Sequence, residues 1–182
     1  MQVQPTGQES GSRTTSEQVI PSVRGEFYSY SAVFTTERPL GYLMKCKANK
    51  NRELRFAEDH IDDLDLTFVF ENSCVRVCSP NASPSVKLIQ DIDIDIDIEA
   101  LNETQIAPAD ITAETFYELR RQRDGLAVAE TCRRGLARSE AVVVLTPEMI
   151  IAVTTQSGKY GLMLIKALTP ESVKVDACHI LL

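Results

Sequence analysis

Five carboxylates alternate with four isoleucines along Asp91-Ile92-Asp93-Ile94-Asp95-Ile96-Asp97-Ile98-Glu99. Carboxylate oxygens are the ligands calcium prefers, so Asp93, Asp95 and Asp97 are the candidate metal residues of the chain. On a strand, same-face neighbours stand about 7 Å apart and point in parallel. Two of them chelate one ion only if the side chains lean and a loop closes over them, with Asn72 and Asn81 as possible contributors. The simpler reading is a solvated ridge. Repulsion between neighbours at that spacing is roughly 0.6 kcal/mol per pair in water, and physiological salt about halves it. A third reading is cross-strand neutralisation by Lys45, Lys47, Lys87 or Lys174.

Nucleophile and base chemistry finds little support. His60 follows Glu58-Asp59 and has the right type for a general base, but a single histidine in a turn reads as a surface residue. His179 adjoins Cys178, and neighbours on a strand point to opposite faces. A Cys/His couple would need Cys46 or Cys74 from another strand. The nucleophile elbow, the glycine-rich phosphate loop, the HExxH pair and the EF-hand spacing are all missing from the sequence. The five cysteines, Cys46, Cys74, Cys78, Cys132 and Cys178, form no CxxC pair. Cys74 and Cys78 would lie about 13 Å apart on one strand, too far for a disulfide. They read as reduced, partly buried thiols, and the two histidines lack zinc spacing with them. No cofactor is expected.

The other distinctive chemistry is charge segregation. Arg120, Arg121, Arg123, Arg133, Arg134 and Arg138 face only Glu118, Asp124 and Glu130 within residues 116–138. Residues 59–99 carry ten acidic groups against Arg76 and Lys87. Arg120, Arg121, Arg123, Arg133 and Arg134 are therefore the candidate partner-binding residues, meeting an acidic surface within one chain or between copies. The plainer account is a solvated helix with local pairs such as Glu118–Arg121.

These residues need elements to hold them. The period of two over residues 91–99 predicts a half-buried strand over Val86–Ile98, with Ile92, Ile94, Ile96 and Ile98 inward. Further strands are expected at Glu26–Thr36, Leu40–Ala48, Glu53–Ala57, Asp63–Phe70 and Cys74–Cys78. Ala141–Leu145, Met149–Thr155, Tyr160–Ala167 and Val173–Leu182 follow as a meander, with Thr146-Pro147-Glu148, Gln156-Ser157-Gly158-Lys159 and Thr169-Pro170-Glu171 as turns. One helix is expected at about 112–124, capped by Asp110 or Thr112, with Phe116 and Leu119 on its inner face and Gly125 as its stop. Residues 126–138 are ambiguous. The sum is a mainly β fold, a sandwich or partly closed barrel of about eight to ten mostly antiparallel strands with one inserted helix.

Residues 1–22 are polar and read as a disordered tail, leaving 23–182 as a single β-rich domain. With a net charge of −7, the chain is a poor binder of nucleic acid or of an anionic membrane. No apolar run approaches a membrane span. Reduced thiols point to the cytoplasm, with an exported protein that has lost its signal peptide as the alternative. The expected function is a non-catalytic interaction or structural module, a subunit of a larger assembly, with a protein partner or self-association. The alternatives are a calcium-dependent binding domain and an enzyme whose site is assembled from scattered residues.

Overall fold

The computed structural model describes residues 25–43, 51–71, 73–91 and 96–181. Within them the chain order is β1 (Glu26–Thr35), β2 (Leu40–Gly41), β3 (Asn51–Arg52), α1 (Ala57–His60), β4 (Leu66–Glu71), β5 (Cys74–Cys78) and α2 (Ser83–Gln90). β6 (Thr104–Pro108), α3 (Ala113–Gln122), α4 (Gly125–Gly135), β7 (Val142–Val144), β8 (Ile150–Thr155), β9 (Lys159–Thr169) and β10 (Ser172–Leu181) follow. The ten strands make two five-stranded sheets, ordered β1-β10-β9-β8-β6 and β3-β2-β4-β5-β7. Every strand pairing is antiparallel.

The sheets face one another as a sandwich, without closing into a barrel. Tyr30, Phe34, Ile151, Met163, Ile165 and Val175 from the first sheet pack against Leu66, Phe68, Val75, Val77 and Val143 from the second. Phe34 stacks on Phe68 with ring centroids 3.9 Å apart. One corner is stitched by Ile106, in the middle of β6, which exchanges two backbone hydrogen bonds with Glu140 ahead of β7 (2.8 and 3.2 Å). The outer edge of β1 is blocked by side chains. Asn51 Nδ2 donates to the Val33 carbonyl (2.7 Å) and Arg123 donates to the Phe27 carbonyl (2.8 Å). Covering an edge in this way discourages pairing with other chains.

The first sheet is buried on both faces. Ile150, Ala152, Leu162, Leu164, Cys178 and Ile180 point away from the second sheet, onto Phe116, Val128, Ala129 and Cys132 of α3 and α4. This explains the unbroken apolar runs at 150–153 and 162–165, which alternate in destination rather than in polarity. The second sheet has its own cover. Ala57 of α1, Ile89 of α2 and Leu101 pack with Leu40, Tyr42 and Leu64. Four layers result: α3 and α4, the first sheet, the second sheet, then α1 with α2.

Several expectations are corrected. Val86–Gln90 belongs to α2, not to a strand. Pro84 sits in the first turn, where its missing N–H costs nothing. Val86 and Ile89, at i and i+3, then reach one apolar cluster. Ser85 fixes the register, donating to the Ser79 carbonyl (2.7 Å) and sharing a hydrogen bond with Thr67. Ile92, Asp93, Ile94 and Asp95 lie outside the described residues. Beyond them, a single 3-10 turn runs Ile98–Ala100. Ile96 and Ile98 are half-buried while Asp97 and Glu99 are exposed. Glu53–Ala57 is not a strand either, because the chain turns at Leu54–Phe56 straight into α1. The expected strand beyond Leu40 is described only as β2, Leu40–Gly41. Thr104–Pro108, outside every strand expected from the sequence, is β6.

The inserted helix is α3, with Thr112 Oγ1 accepting the Thr115 N–H (3.2 Å) as its N-cap. Its stop is Arg123, at a left-handed φ of 57°, rather than Gly125. Gly125 instead opens α4, capped by Asp124 Oδ1 accepting from the Ala127 N–H (2.9 Å). β8, β9 and β10 form the expected meander, but β7 belongs to the opposite sheet.

Candidate functional site: charged outer layers and a buried ion pair

The six arginines lie in the layer of α3, α4 and the turn after α4, and they do different jobs. Arg120 reaches Asp176 on β10 (3.4 Å) and is partly buried there. The same carboxylate accepts hydrogen bonds from Ser31 (2.5 Å) and Tyr117 (2.8 Å). Burial pushes Asp176 up, but the Ser31 and Tyr117 hydrogen bonds and the Arg120 and Lys166 charges outweigh it, holding the carboxyl below the usual range. Arg120 thus ties α3 to the sheet. Arg123 is spent on β1, donating to the Phe27 carbonyl and lying 5.5 Å from the Phe27 ring. Arg121 makes a two-pronged bond to Glu118 at 2.6 and 3.0 Å. An exposed pair of this kind is screened by solvent and contributes little to stability.

Arg133 and Arg134 point outward from α4. Arg133 lies 4.9 Å from the centre of the Tyr160 ring, and Arg134 touches Thr131 Oγ1 at 3.2 Å. Leu126, Glu130, Arg133 and Arg134 fall at i, i+4, i+7 and i+8, one stripe of a helix. Leu126 is 46% exposed, and Leu136 beside the stripe is 36% exposed. A small cavity of about 130 Å³ is lined in part by Asp110, Thr131, Arg134 and Arg138.

The acidic groups sit on the opposite outer layer, over the second sheet. Glu53, Glu58, Asp59, Asp62, Asp63, Asp91, Asp97 and Glu99 are all exposed there, with Arg38, Arg52, Arg55 and Lys87 as the basic side chains around them. Asp97 Oδ1 accepts the Glu99 N–H (3.0 Å), capping its own turn. Asp93 and Asp95, the other two candidate calcium ligands, lie outside the described residues. Among the described residues, no group of three or more His, Cys, Asp or Glu side chains is placed to hold a metal ion. Lys174, considered as a neutralising partner, lies on β10 of the other sheet. Lys87 rides on α2.

Two features have no signature in the sequence pattern. The first is an ion pair buried between the sheets. Asp65 is fully buried, and both its oxygens accept from Lys159 Nζ (3.0 and 3.1 Å) while Oδ2 also accepts the Leu43 N–H (2.6 Å). Burial pushes this carboxyl up to about 6, against the opposing Lys159 charge and the Leu43 N–H. Gly161 makes room nearby, since a Cβ there would stand 3.0 Å from Leu43 Cδ2 and 3.5 Å from His179 Cβ. His179 is buried on this inner face, stacked on Tyr28 (5.2 Å) with Tyr30 edge-on (5.7 Å), while Cys178 faces the helices. The expected divergence of Cys178 and His179 is therefore what the strand produces. Nothing in the spacing of Asp65 and Lys159, 94 residues apart, announces their contact.

The second is a surface groove of about 390 Å³ lined by Arg38, Asn51, Arg52, Glu53, Arg55, Phe56 and Asp59. Arg52 lies 4.9 Å over the Phe56 ring, and Arg38 pairs with Glu53 at 3.6 Å. His60 stacks on the same Phe56 ring at 4.2 Å, at the end of α1.

Cys74, Cys78, Cys132 and Cys178 are free thiols, and Cys46 lies outside the described residues. Burial pushes Cys78 up to about 11 and Cys132 and Cys178 up to about 12, so these three are poor nucleophiles. Alkylation of the native protein at pH 8 should spare them and modify half-buried Cys74, whereas denatured, unreduced protein should titrate five thiols. Fast native labelling at Cys132, read by peptide mass, would contradict this packing.

No protein-family model matches the chain, and no curated protein matches it. Among solved structures, it is similar to a crystal structure of a DUF4466 family protein from Parabacteroides merdae, at 10% sequence identity and a TM-score of 0.54. The match covers 85% of this chain and 53% of that one, so the chain spans about half the length of the protein it resembles. At that identity the likeness concerns the fold alone, a two-sheet β-rich architecture. Among the described residues, no helix is long and apolar enough to cross a membrane.

Proposed function

We propose that this chain is a non-catalytic interaction module, a subunit of a larger assembly, that meets an acidic protein surface with the outer face of α4. The observation that supports this reading most is the exposure of Leu126 and Leu136 beside Arg133, Arg134 and Arg138. Apolar side chains set among arginines have the composition of a protein interface, where arginine is enriched and lysine depleted. Leu126 and Leu136 are already more than half buried, so covering what remains contributes roughly 1 kcal/mol each, and arginines paired across a contact add orientation. Arg120 and Arg123 are committed to Asp176 and the Phe27 carbonyl, so they serve the fold and the docking role passes to Arg133 and Arg134.

The test is affinity purification from the native source, run in parallel with the wild-type chain and with Arg133→Ala/Arg134→Ala. A stoichiometric partner, either another protein or an untagged copy of this chain, should come with the wild type and be retained about tenfold less by the variant, the scale expected for losing two interface arginines. Melting temperatures should agree within a few degrees, because neither arginine packs in a core. Equal retention by the variant, or no stoichiometric partner at all, overturns the reading.

A further inference from the structure

We infer that copies of this chain associate head to tail, the α4 face of one docking on the acidic outer layer of the next. The inference rests on the proposed role of α4 as a docking face and names its occupant. Three observations lead to it. The basic and acidic groups occupy opposite outer layers, separated by both sheets, so they cannot neutralise each other within one molecule. The acidic layer is the larger imbalance, with eight exposed carboxylates against Arg38, Arg52, Arg55 and Lys87, and of the eight Glu53 is already paired with Arg38. That layer also carries apolar groups between its charges. Ile61, Val86 and Ile98 are half-buried among Asp59, Asp62 and Asp91, and can meet Leu126 and Leu136. Charge complementarity orients such an encounter, and the apolar contact holds it.

Because the two faces lie on opposite sides, the contact is heterologous rather than two-fold. A pair formed through it leaves one basic and one acidic face free. A third copy finds the same site, so assembly runs past the dimer to a ring or an open filament.

Sedimentation velocity across a concentration series, near neutral pH, tests this. At about 0.01 M salt, where screening extends to about 30 Å, the mean mass should rise with concentration beyond twice the monomer. At about 1 M salt, where screening shortens to about 3 Å, it should return to the monomer. Arg133→Ala/Arg134→Ala removes one face, and Asp59→Asn/Asp62→Asn removes the other. Each variant alone should show association weakened about tenfold or more. An equimolar mixture should stop at a one-to-one heterodimer, because each variant keeps one working face. A salt-independent dimer, or a mixture that polymerises like the wild type, overturns the head-to-tail arrangement. A monomer at low salt overturns it too. In that case, loss of a native partner by the arginine variant would leave the docking face standing with a different protein as occupant. If no partner is lost, both readings fall together.

Discussion

Lys159→Met should destabilise the domain by about 3–5 kcal/mol at pH 8, the cost of leaving a buried charge without its partner. Asp65 is buried between the sheets, and Lys159 Nζ contacts both its oxygens. The aliphatic part of the lysine stem is retained by methionine, so most of the loss comes from charge. The effect must then depend on pH. With Asp65 raised to about 6, the carboxyl is largely neutral at pH 5, and the penalty should shrink to roughly 1 kcal/mol or less there. A second substitution, Asp65→Asn, should restore most of the stability of Lys159→Met at pH 8.

The single variant Asp65→Asn gives the sign directly. The folded state binds more protons than the unfolded chain between about pH 4 and 6, so the contribution of Asp65 to stability falls as pH rises through that window. Relative to wild type, Asp65→Asn should therefore gain about 2–3 kcal/mol between pH 4 and pH 7. Urea melts at both pH values measure this. A Lys159→Met loss that is equal at pH 5 and pH 8 would mean that the loss does not come from leaving the Asp65 charge unpaired.

The strands that the alternation rule reaches are those with one wet face or clear flanking turns. β1, β5 and β8 to β10 fall within a few residues of their expected bounds, and Phe116 lies on the buried side of α3 as its spacing requires. The rule fails where alternation has another origin. Val86 and Ile89 fall in the strand expected from 86 to 98 on the strength of the alternation over 91–99, yet Pro84 and the Ser79–Ser85–Thr67 hydrogen bonds start a helix there. Local periodicity does not register a proline two residues upstream that suits a first helical turn.

β6 gives little strand signal because Thr104–Pro108 ends in proline and looks like punctuation, but a strand at the sheet margin tolerates proline at its last position. The sites divide in the same way. Charge segregation is a one-dimensional property, so the arginine cluster was visible, while the commitment of Arg120 to Asp176 and of Arg123 to Phe27 depends on strands more than 50 residues away. Asp65–Lys159 is wholly a product of tertiary structure.

Phe68→Ala should cost about 3–5 kcal/mol, the range for removing a fully buried aromatic side chain and leaving a cavity. Phe68 projects from β4 of the second sheet and Phe34 from β1 of the first, so their stacked rings span the interface that defines the sandwich. Each is completely buried, and neither has a polar group to satisfy. A loss of this size is a large share of the stability of a typical domain, about 5–15 kcal/mol, so Phe68→Ala should remain folded only well below the wild-type melting temperature.

The cycle with Phe34→Ala separates ring contact from burial. If the two rings meet as the structure places them, the double variant should lose less than the sum of the singles. Aromatic stacking contributes about 0.5–1.5 kcal/mol of that coupling, and the shared cavity adds to it. Phe68→Leu should lose appreciably less than Phe68→Ala, because leucine refills most of the space. Strictly additive single variants would place the rings apart and the two sheets in a different registry. That outcome would also undo the four-layer arrangement that sets the basic and acidic faces on opposite sides of the molecule.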